Sequence, residues 1–286
     1  MENIMEVKNL TKQYSGFLLD HVSFSIPKGT IMGLIGENGA GKSTTINGIL
    51  ELIKKDDGEV LFEGKDISAG KQPKEDIGVV FDEINFYERL TPEKVGKIAK
   101  ATYKQWNESV YQNYLNRFSL PASKTIKELS KGMKMKLSIA VALSHDPKLL
   151  ILDEATSGLD PVMRDDILDI FLEFVQDEEH AILLSSHITT DLEKIADYIT
   201  FIHNGKVLFC KEKDELRYRY GILRCGESTF ASIAKEEMLA YRKTDYQYNV
   251  LMEDKEEARR KYPAEVVDDA TIDDILLLYV KGEQAK

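Results

Sequence analysis

The sequence predicts an α/β fold, because short apolar strands alternate with helical segments along most of its 286 residues. The apolar runs 30–35, 149–152 and 181–184 each lead into polar or glycine-rich residues, as buried parallel strands do. Before them, residues 5–10 and 21–26 alternate polar and apolar side chains, which is typical of antiparallel strands. We therefore expect a parallel core preceded by an N-terminal antiparallel β subdomain.

The stretch 36–43 reads Gly-Glu-Asn-Gly-Ala-Gly-Lys-Ser and matches the phosphate-binding pattern G-x-x-x-x-G-K-[ST] at every fixed position. It joins the apolar run 30–35 to residues 44–52, whose apolar side chains have helical spacing. In such a loop, backbone N–H groups at a helix N-terminus surround phosphates. Lys42 is expected to contact the β- and γ-phosphates of a nucleoside triphosphate, and the Ser43 hydroxyl to bind Mg²⁺. The predicted nucleotide contacts of this P-loop NTPase core are Gly36, Glu37, Asn38, Gly39, Ala40, Gly41, Lys42, Ser43 and Thr44.

Composition and charge restrict the location and partners of the protein. The chain is 43% hydrophobic and 30% charged, and its charge-free stretches reach about ten residues, against roughly 18 for a membrane span. The start of the sequence has no signal-peptide pattern, and Cys210 and Cys225 have no metal-binding spacing, so a cytoplasmic protein with reduced cysteines is expected. The net charge of −11, without a basic stripe, argues against a nucleic-acid partner.

Further elements are predicted on both sides of the apolar run 149–152. Strands are expected at 59–62 and 77–80, and the pattern is helical from 91 to 144. A helix begins near Pro161, a favoured first-turn residue. The dipeptide Asn204-Gly205 predicts a β-hairpin.

Beyond about residue 211 the sequence carries no catalytic motif. Candidate strands at 248–252 and 265–267 alternate with helices, the last of which opens at Thr271 with a capping-box-like start. The predicted organisation is an ATPase domain over 1–210 that includes a helical subdomain at about 85–145, and a small accessory α+β domain over 211–286.

Two adjacent carboxylates end the strand at 149–152. Asp153 is expected to hold Mg²⁺ and Glu154 to act as general base toward the attacking water. Taken alone, such a pair is more typical of a plain strand end, and the neighbouring phosphate loop is what favours the functional interpretation. His187 follows the apolar strand at 181–184, and parallel strand order brings it to the same sheet edge, within reach of the γ-phosphate. A histidine in this position is otherwise more often structural.

The segment Leu129-Ser130-Lys131-Gly132-Met133 opens a helix, and two interpretations of Ser130 remain. Ser130 is a good N-cap residue, which by itself explains the serine. Alternatively, the helix N-terminus with Ser130 and Gly132 forms a second phosphate site.

Together these motifs resemble the ATP-binding subunit of ABC transporters, over roughly residues 5–210. The matching motifs are the loop at 36–43, Leu-Ser-Lys-Gly-Met at 129–133, Leu-Leu-Ile-Leu-Asp-Glu at 149–154, Ser-Gly-Leu-Asp at 157–160 and Ser-His at 186–187. The residues that occupy the variable positions of these motifs most resemble those of bacterial exporters of peptides, antibiotics or lipids.

The resemblance implies a site completed by a second chain. Tyr14 would stack on adenine, although a tyrosine in an edge strand or core is the simpler alternative. Ser130 and Gly132 would contact the γ-phosphate of ATP bound to a second ATP-binding subunit, identical or paralogous. Asp160 would lie at the interface of that head-to-tail dimer, and His187 would sense the γ-phosphate.

Two motifs depart from the family pattern, at three positions. The family usually has Leu-Ser-Gly-Gly-Gln where this chain has Lys131 and Met133 in the third and fifth places. Asp82 stands where the family has a glutamine that touches Mg²⁺ and the attacking water. An ionised carboxylate accepts hydrogen bonds but donates none. Asp82 would either bind the metal more strongly than a glutamine or repel Glu154. It is assigned as a metal ligand and a catalytic residue, and ATPase activity is expected to be retained.

The function implied is an ATPase that powers a membrane exporter. ATP binding would close the dimer, and hydrolysis would reopen it. A separate transmembrane permease subunit would dock at residues 82–90, where Phe86 and Tyr87 are either anchors or part of the helical core. The chain would then be peripheral on the cytoplasmic face of the cell membrane. Alternatives are a soluble ABC-type ATPase acting on ribosomes or DNA, and a small-molecule kinase, which would not explain the segment at 129–133.

Overall fold

The computed structural model describes residues 2–69, 74–82 and 86–284. The strands are β1 (Asn3–Tyr14), β2 (Phe17–Pro27), β3 (Ile31–Ile35), β4 (Asp57–Phe62), β5 (Lys65–Asp66), β6 (Ile77–Val80), β7 (Leu149–Asp153), β8 (Ala181–Ser186), β9 (Tyr198–His203), β10 (Lys206–Glu212), β11 (Gly221–Cys225), β12 (Met238–Lys243), β13 (Tyr248–Met252), β14 (Val266–Asp269) and β15 (Glu283–Gln284). The helices are α1 (Lys42–Ile49), α2 (Pro92–Thr102), α3 (Glu108–Arg117), α4 (Lys131–Leu143), α5 (Pro161–Phe174), α6 (Thr189–Ile195), α7 (Lys213–Arg219), α8 (Glu227–Phe230), α9 (Lys255–Lys261) and α10 (Ile272–Lys281).

A central six-stranded sheet has the order β10-β9-β3-β8-β7-β6. Strands β9, β3, β8, β7 and β6 are parallel, and the hairpin partner β10 is antiparallel. In register, Ile35 faces Ser186 and Asp153 faces Ser185, so the carboxyl ends of β3, β7 and β8 meet at one sheet edge. The predicted α/β fold is confirmed, and this edge is where its loops converge.

A four-stranded antiparallel sheet with the order β2-β1-β4-β5 covers one face of the central sheet. Ile4 and Leu10 of β1 share a core with Met32, Ile151 and Leu183 of the central strands. The predicted antiparallel pair at the amino terminus is therefore confirmed.

The stretch predicted as helical, 91–144, contains helices α2, α3 and α4. Helices α2, α3 and α4 pack around Tyr111, which is fully buried and donates its hydroxyl hydrogen to the Pro92 carbonyl at 2.7 Å. Gly96 permits this packing, because a Cβ there would lie 2.4 Å from the Tyr111 ring.

The helix predicted at 44–52 is shorter and starts earlier. It begins at Lys42, directly after Gly41, and ends at Ile49. Glu51 has a φ of 58°, which breaks the helix, and the Leu52 side chain is 62% exposed. The apolar spacing beyond residue 49 therefore does not mark a buried helix face.

The C-terminal part forms a five-stranded antiparallel sheet, β14-β11-β13-β12-β15. The candidate strand at 248–252 is β13, whereas the one placed at 265–267 is displaced to 266–269, and strands β11 and β12 had not been predicted. Thr271 caps α10 with a capping box, as expected. The Tyr279 ring of α10 lies 5.5 Å from the Phe209 ring of the central sheet. A separate domain over 211–286 stays a prediction, since α10 shares the core of the central sheet.

Candidate active site

A cleft of about 570 Å³ opens above the sheet edge where β3, β7 and β8 end. Its lining includes the predicted loop residues except Gly36 and Ala40, together with Asp82, Glu154 and His187. The structure thus brings together predicted residues that are more than 140 positions apart in the sequence.

Gly36 and Ala40 hold the loop in place from beneath. A Cβ at position 36 would lie 2.3 Å from the Ile202 carbonyl oxygen of β9. The buried Ala40 accepts a hydrogen bond from the Gly205 amide at 2.9 Å. Gly41 has a φ of 116°, which a residue with a side chain rarely adopts. These close approaches explain why the loop rests on the β9–β10 hairpin.

Lys42, Glu154 and His187 form a cluster of ionisable side chains in the cleft. The Lys42 Nζ lies 3.3 Å from Glu154 Oε1 and donates to the Gly36 carbonyl at 2.8 Å. The other carboxylate oxygen, Glu154 Oε2, lies 2.6 Å from His187 Nδ1. Lys42 is 6% exposed and Glu154 15%, so solvent screens their interaction weakly. A carboxylate held at this point is suited to accept a proton from a water molecule in the cleft.

The backbone of Glu154 is held in the left-handed region, with a φ of 52°. Such a conformation costs about 1–2 kcal/mol for a residue with a side chain. The Glu154 amide donates to the Ser185 carbonyl at 3.1 Å and to Ser185 Oγ at 3.2 Å. The Ser185 hydroxyl in turn donates to Asp153 Oδ1 at 2.5 Å. Through Ser185, strand β8 therefore holds the strained turn that orients the Asp153 and Glu154 carboxylates.

Ser43 and Asp153 suit a small hard cation. Ser43 lines the cleft as the second residue of α1, and Asp153 is buried at the end of β7. Hydroxyl and carboxylate oxygens are the donors that Mg²⁺ prefers, and it binds few protein ligands when phosphates supply the others. The described residues include no cluster of three or more His, Cys, Asp or Glu side chains that could hold a metal ion. Asp82 faces the same cleft, and its predicted role as a ligand stays a prediction.

Ser130, Gly132 and Asp160 lie at helix starts outside the lining of the cleft, as far as the described residues show. Ser130 Oγ accepts from the Met133 amide at 3.2 Å, which confirms Ser130 as the N-cap of α4. Asp160 Oδ1 caps α5 in the same way, accepting from the Met163 amide at 3.0 Å. A Cβ at Gly132 would lie 2.7 Å from Met163 Sδ. All three residues have local structural roles, and their contacts with a second chain stay predictions.

The aromatic side chain that lines the cleft is Phe17, which sequence reasoning missed. Tyr14, the predicted adenine partner, is 41% exposed at the end of β1, with Lys12 Nζ 5.5 Å from its ring centroid. The two aromatic residues face each other across the β1–β2 turn. In this part of the chain, strands were predicted only at 5–10 and 21–26, so the sequence analysis did not place Phe17 opposite Tyr14. Ser157 also lines the cleft and was quoted only as part of a motif.

The predicted docking segment 82–90 is described only in part, because residues 83–85 lie outside the described residues. Phe86 is partly buried against the main core, whereas Tyr87 is 64% exposed. The two aromatic residues therefore differ in exposure, and Tyr87 is the one available to a partner.

The longest helix of the described residues, α5, has 14 residues. None of the described helices is long and apolar enough to cross a membrane.

Comparison with known proteins identifies the family and several relatives of this chain. Residues 19–157 match the family described as ABC transporter. The chain is 38% identical to the lantibiotic transport ATP-binding protein SrtF of Streptococcus pyogenes over 214 residues, which are 74% of this chain and 92% of SrtF. It is 34% identical to the bacitracin transport ATP-binding protein BcrA of Bacillus licheniformis over 223 residues, 77% of this chain and 73% of BcrA. A solved structure of an ATP binding subunit of an ABC transporter superposes with a TM-score of 0.68 at 32% identity, covering 75% of this chain and 92% of the other.

Proposed function

This chain belongs to the ATP-binding subunits of ABC transporters and is an ATPase, and on that premise we propose that it powers a membrane exporter. The observation that carries the catalytic part is the Glu154 carboxylate, which lies between Lys42 and His187 directly above the phosphate loop. Glu154 accepts a proton from water as the water oxygen attacks the γ-phosphorus, and the bond to the β–γ bridging oxygen breaks. Lys42 and the loop amides stabilise the charge that develops on the phosphates.

Magnesium fits this proposal as the resident cation. Ser43 and Asp153 would hold it, and it would neutralise charge on the β- and γ-phosphate oxygens. Ser185 keeps the Asp153 carboxylate oriented through the 2.5 Å hydrogen bond. His187, whose amide also lies 3.4 Å from Glu154 Oε2, would report the γ-phosphate to α6, the helix that follows it.

A head-to-tail dimer accounts for the residues outside the cleft. Ser130 is the exposed N-cap of α4, Gly132 is buried in the first turn of the same helix, and Asp160 is the N-cap of α5. A second chain that applied these helix starts to the cleft would add the positive end of the α4 dipole to the γ-phosphate. ATP would then hold the two chains together, and its hydrolysis would release them.

Glu154→Gln tests the catalytic role and the dimer in one experiment. Removal of the general base should lower kcat by about 10²–10⁴-fold, while MgATP still binds and shifts the protein to a dimer in size-exclusion chromatography. The control is Glu179→Gln, a remote surface glutamate paired with Lys28, which should keep full activity. A variant that stays monomeric with MgATP would contradict the dimer, and one that keeps its turnover would contradict the role of Glu154.

The export proposal rests on the relatives named for lantibiotic and bacitracin transport, since both cargoes are peptide antibiotics. The partner would be a separate hydrophobic permease, and the ATPase would lie on the cytoplasmic face of the membrane. The test is co-purification with a membrane subunit, followed by ATP-dependent movement of a peptide antibiotic in inverted vesicles. Accumulation inside those vesicles supports export, whereas loss of a preloaded peptide from them indicates import. Fractionation with ribosomes or DNA would instead support the soluble alternative.

A further inference from the structure

Two of the three residues that depart from the family pattern, Asp82 and Lys131, contact each other. Asp82 follows β6 by two residues, and Lys131 is the first residue of α4. Although they are 49 positions apart, the Lys131 Nζ donates to Asp82 Oδ1 at 2.9 Å. A lysine where the family has glycine thus supplies the charge opposite to an aspartate where the family has glutamine.

Asp82 faces the cleft that holds Lys42 and Glu154. An unpaired carboxylate at this position would repel both the Glu154 carboxylate and the phosphates of ATP, because like charges in a partly enclosed site interact over several ångströms. A neutral glutamine would have neither effect. The ion pair with Lys131 cancels the charge that the aspartate introduces.

The Lys131 amine also lies next to the loop that follows Glu154. The space that a Cβ of Gly158 would occupy is 3.4 Å from Lys131 Nζ. Gly158 has a φ of 71°, and its neighbour Ser157 lines the cleft. The lysine therefore lies between the Asp82 loop and the 157–160 loop, at the wall of the site.

Stability alone does not explain this pair. The Lys131 and Asp82 side chains are 51% and 45% exposed, and ion pairs with such exposure contribute about 0–1 kcal/mol to folding. The effect of the ion pair is instead local, because Lys131 sets the charge and the position of the Asp82 carboxylate at the cleft.

We propose that Lys131 is a positioning residue of the ATPase: it holds the Asp82 carboxylate at the cleft wall and neutralises it, so that the pair replaces the family's glutamine. Lys131 acts through Asp82 and has no need to touch the nucleotide of its own chain. The inference rests on the proposed place of Asp82 in the site and is independent of whether the transporter exports or imports.

A double-mutant cycle tests the pair in steady-state ATPase assays of the purified chain. Lys131→Met leaves Asp82 unpaired and should lower kcat about tenfold, with a smaller effect on KM for MgATP. Asp82→Gln with Lys131→Met should return kcat to within about twofold of the unaltered protein, since a neutral glutamine needs no opposite charge. Lys131→Arg should keep activity. Lys127→Met removes an exposed lysine four residues earlier and serves as the control.

Each outcome decides the proposal. Rescue by Asp82→Gln supports it, because a merely structural role of Lys131 would not be restored by a change at another position. Equal losses in Lys131→Met and in the double variant would overturn it, and so would an unchanged kcat in Lys131→Met. The thermal unfolding midpoints of all variants should lie within about 2 °C of each other. Differences in turnover would then reflect the site rather than unfolding of a variant. All turnover values are compared with that of the unaltered chain and measure ATP hydrolysis alone. The comparison therefore remains valid even if the transport proposal fails.

Discussion

Gly132→Ala separates a packing role of this glycine from a catalytic one. A methyl group at position 132 would lie 2.7 Å from Met163 Sδ and 2.9 Å from its Cε, closer than real Cβ atoms approach. Overpacking of this kind costs about 1–3 kcal/mol, although the end of a flexible methionine moves easily. Alanine also favours a helix by up to about 1 kcal/mol over glycine. The free energy of unfolding should therefore fall by about 0–2 kcal/mol.

The assay compares Gly132→Ala, Met163→Ala and the double variant by urea denaturation and by ATP turnover. Met163→Ala removes the obstructing atoms, so adding Gly132→Ala to it should cost no further stability. Turnover of the double variant should nevertheless stay at least about tenfold below that of Met163→Ala. This expectation rests on the proposed contact of the α4 amides with the γ-phosphate on a second chain, because a methyl group added at position 132 would crowd the first turn that carries those amides.

Two results would refute this reasoning. If the double variant has the turnover of Met163→Ala, Gly132 serves packing alone and the proposed phosphate contact is wrong. If Gly132→Ala also loses more than about 3 kcal/mol of unfolding free energy and Met163→Ala does not restore it, the methionine is not the obstacle.

Two further predictions concern the loop and the C-terminal helix. Gly36→Ala should abolish nucleotide binding, because its Cβ would lie 2.3 Å from the Ile202 carbonyl, a backbone atom that cannot rotate away. Gly39→Ala meets open space but has a φ of +83°, so it should cost only about 1–2 kcal/mol; equal loss of ATP affinity in the two variants would contradict the steric argument. Burial raises the pKa of Tyr279 from 10.0 to about 12. The folded state then keeps a proton that the unfolded state loses, so stability should fall as the pH rises from about 10 to 12. Tyr279→Phe should show a shallower fall in chemical-denaturation midpoints over that range, and an identical slope would refute the assignment to Tyr279.

Much of the candidate site was predictable because few arrangements satisfy its motifs. A glycine-rich loop between a strand and a helix, and polar residues after two other apolar strands, must meet if the strands are parallel neighbours. Glu154 and His187 were expected at one sheet edge for this reason, and their side chains lie 2.6 Å apart. Phe17 was missed because a residue at a turn has no periodic neighbours that show which way it faces.

The C-terminal part shows where local patterns fail. Strand β13 is rich in apolar residues and was predicted, whereas β12 is half exposed and was not. Its place is set by pairing with β13 and β15 rather than by its own periodicity. Similarly, the apolar residues after Ile49 suggested a longer helix than the one that forms.

The sequence by itself determined the fold class, the phosphate loop and the carboxylate that we propose as general base, because these depend on local chain chemistry and on the few ways of joining parallel strands. Only the tertiary structure decided which charged groups pair. Asp82 and Lys131 were separate irregularities in the sequence, and their 2.9 Å contact arises where β6 and α4 pack together. Long-range contacts of this kind depend on the relative placement of whole elements, which no local pattern records.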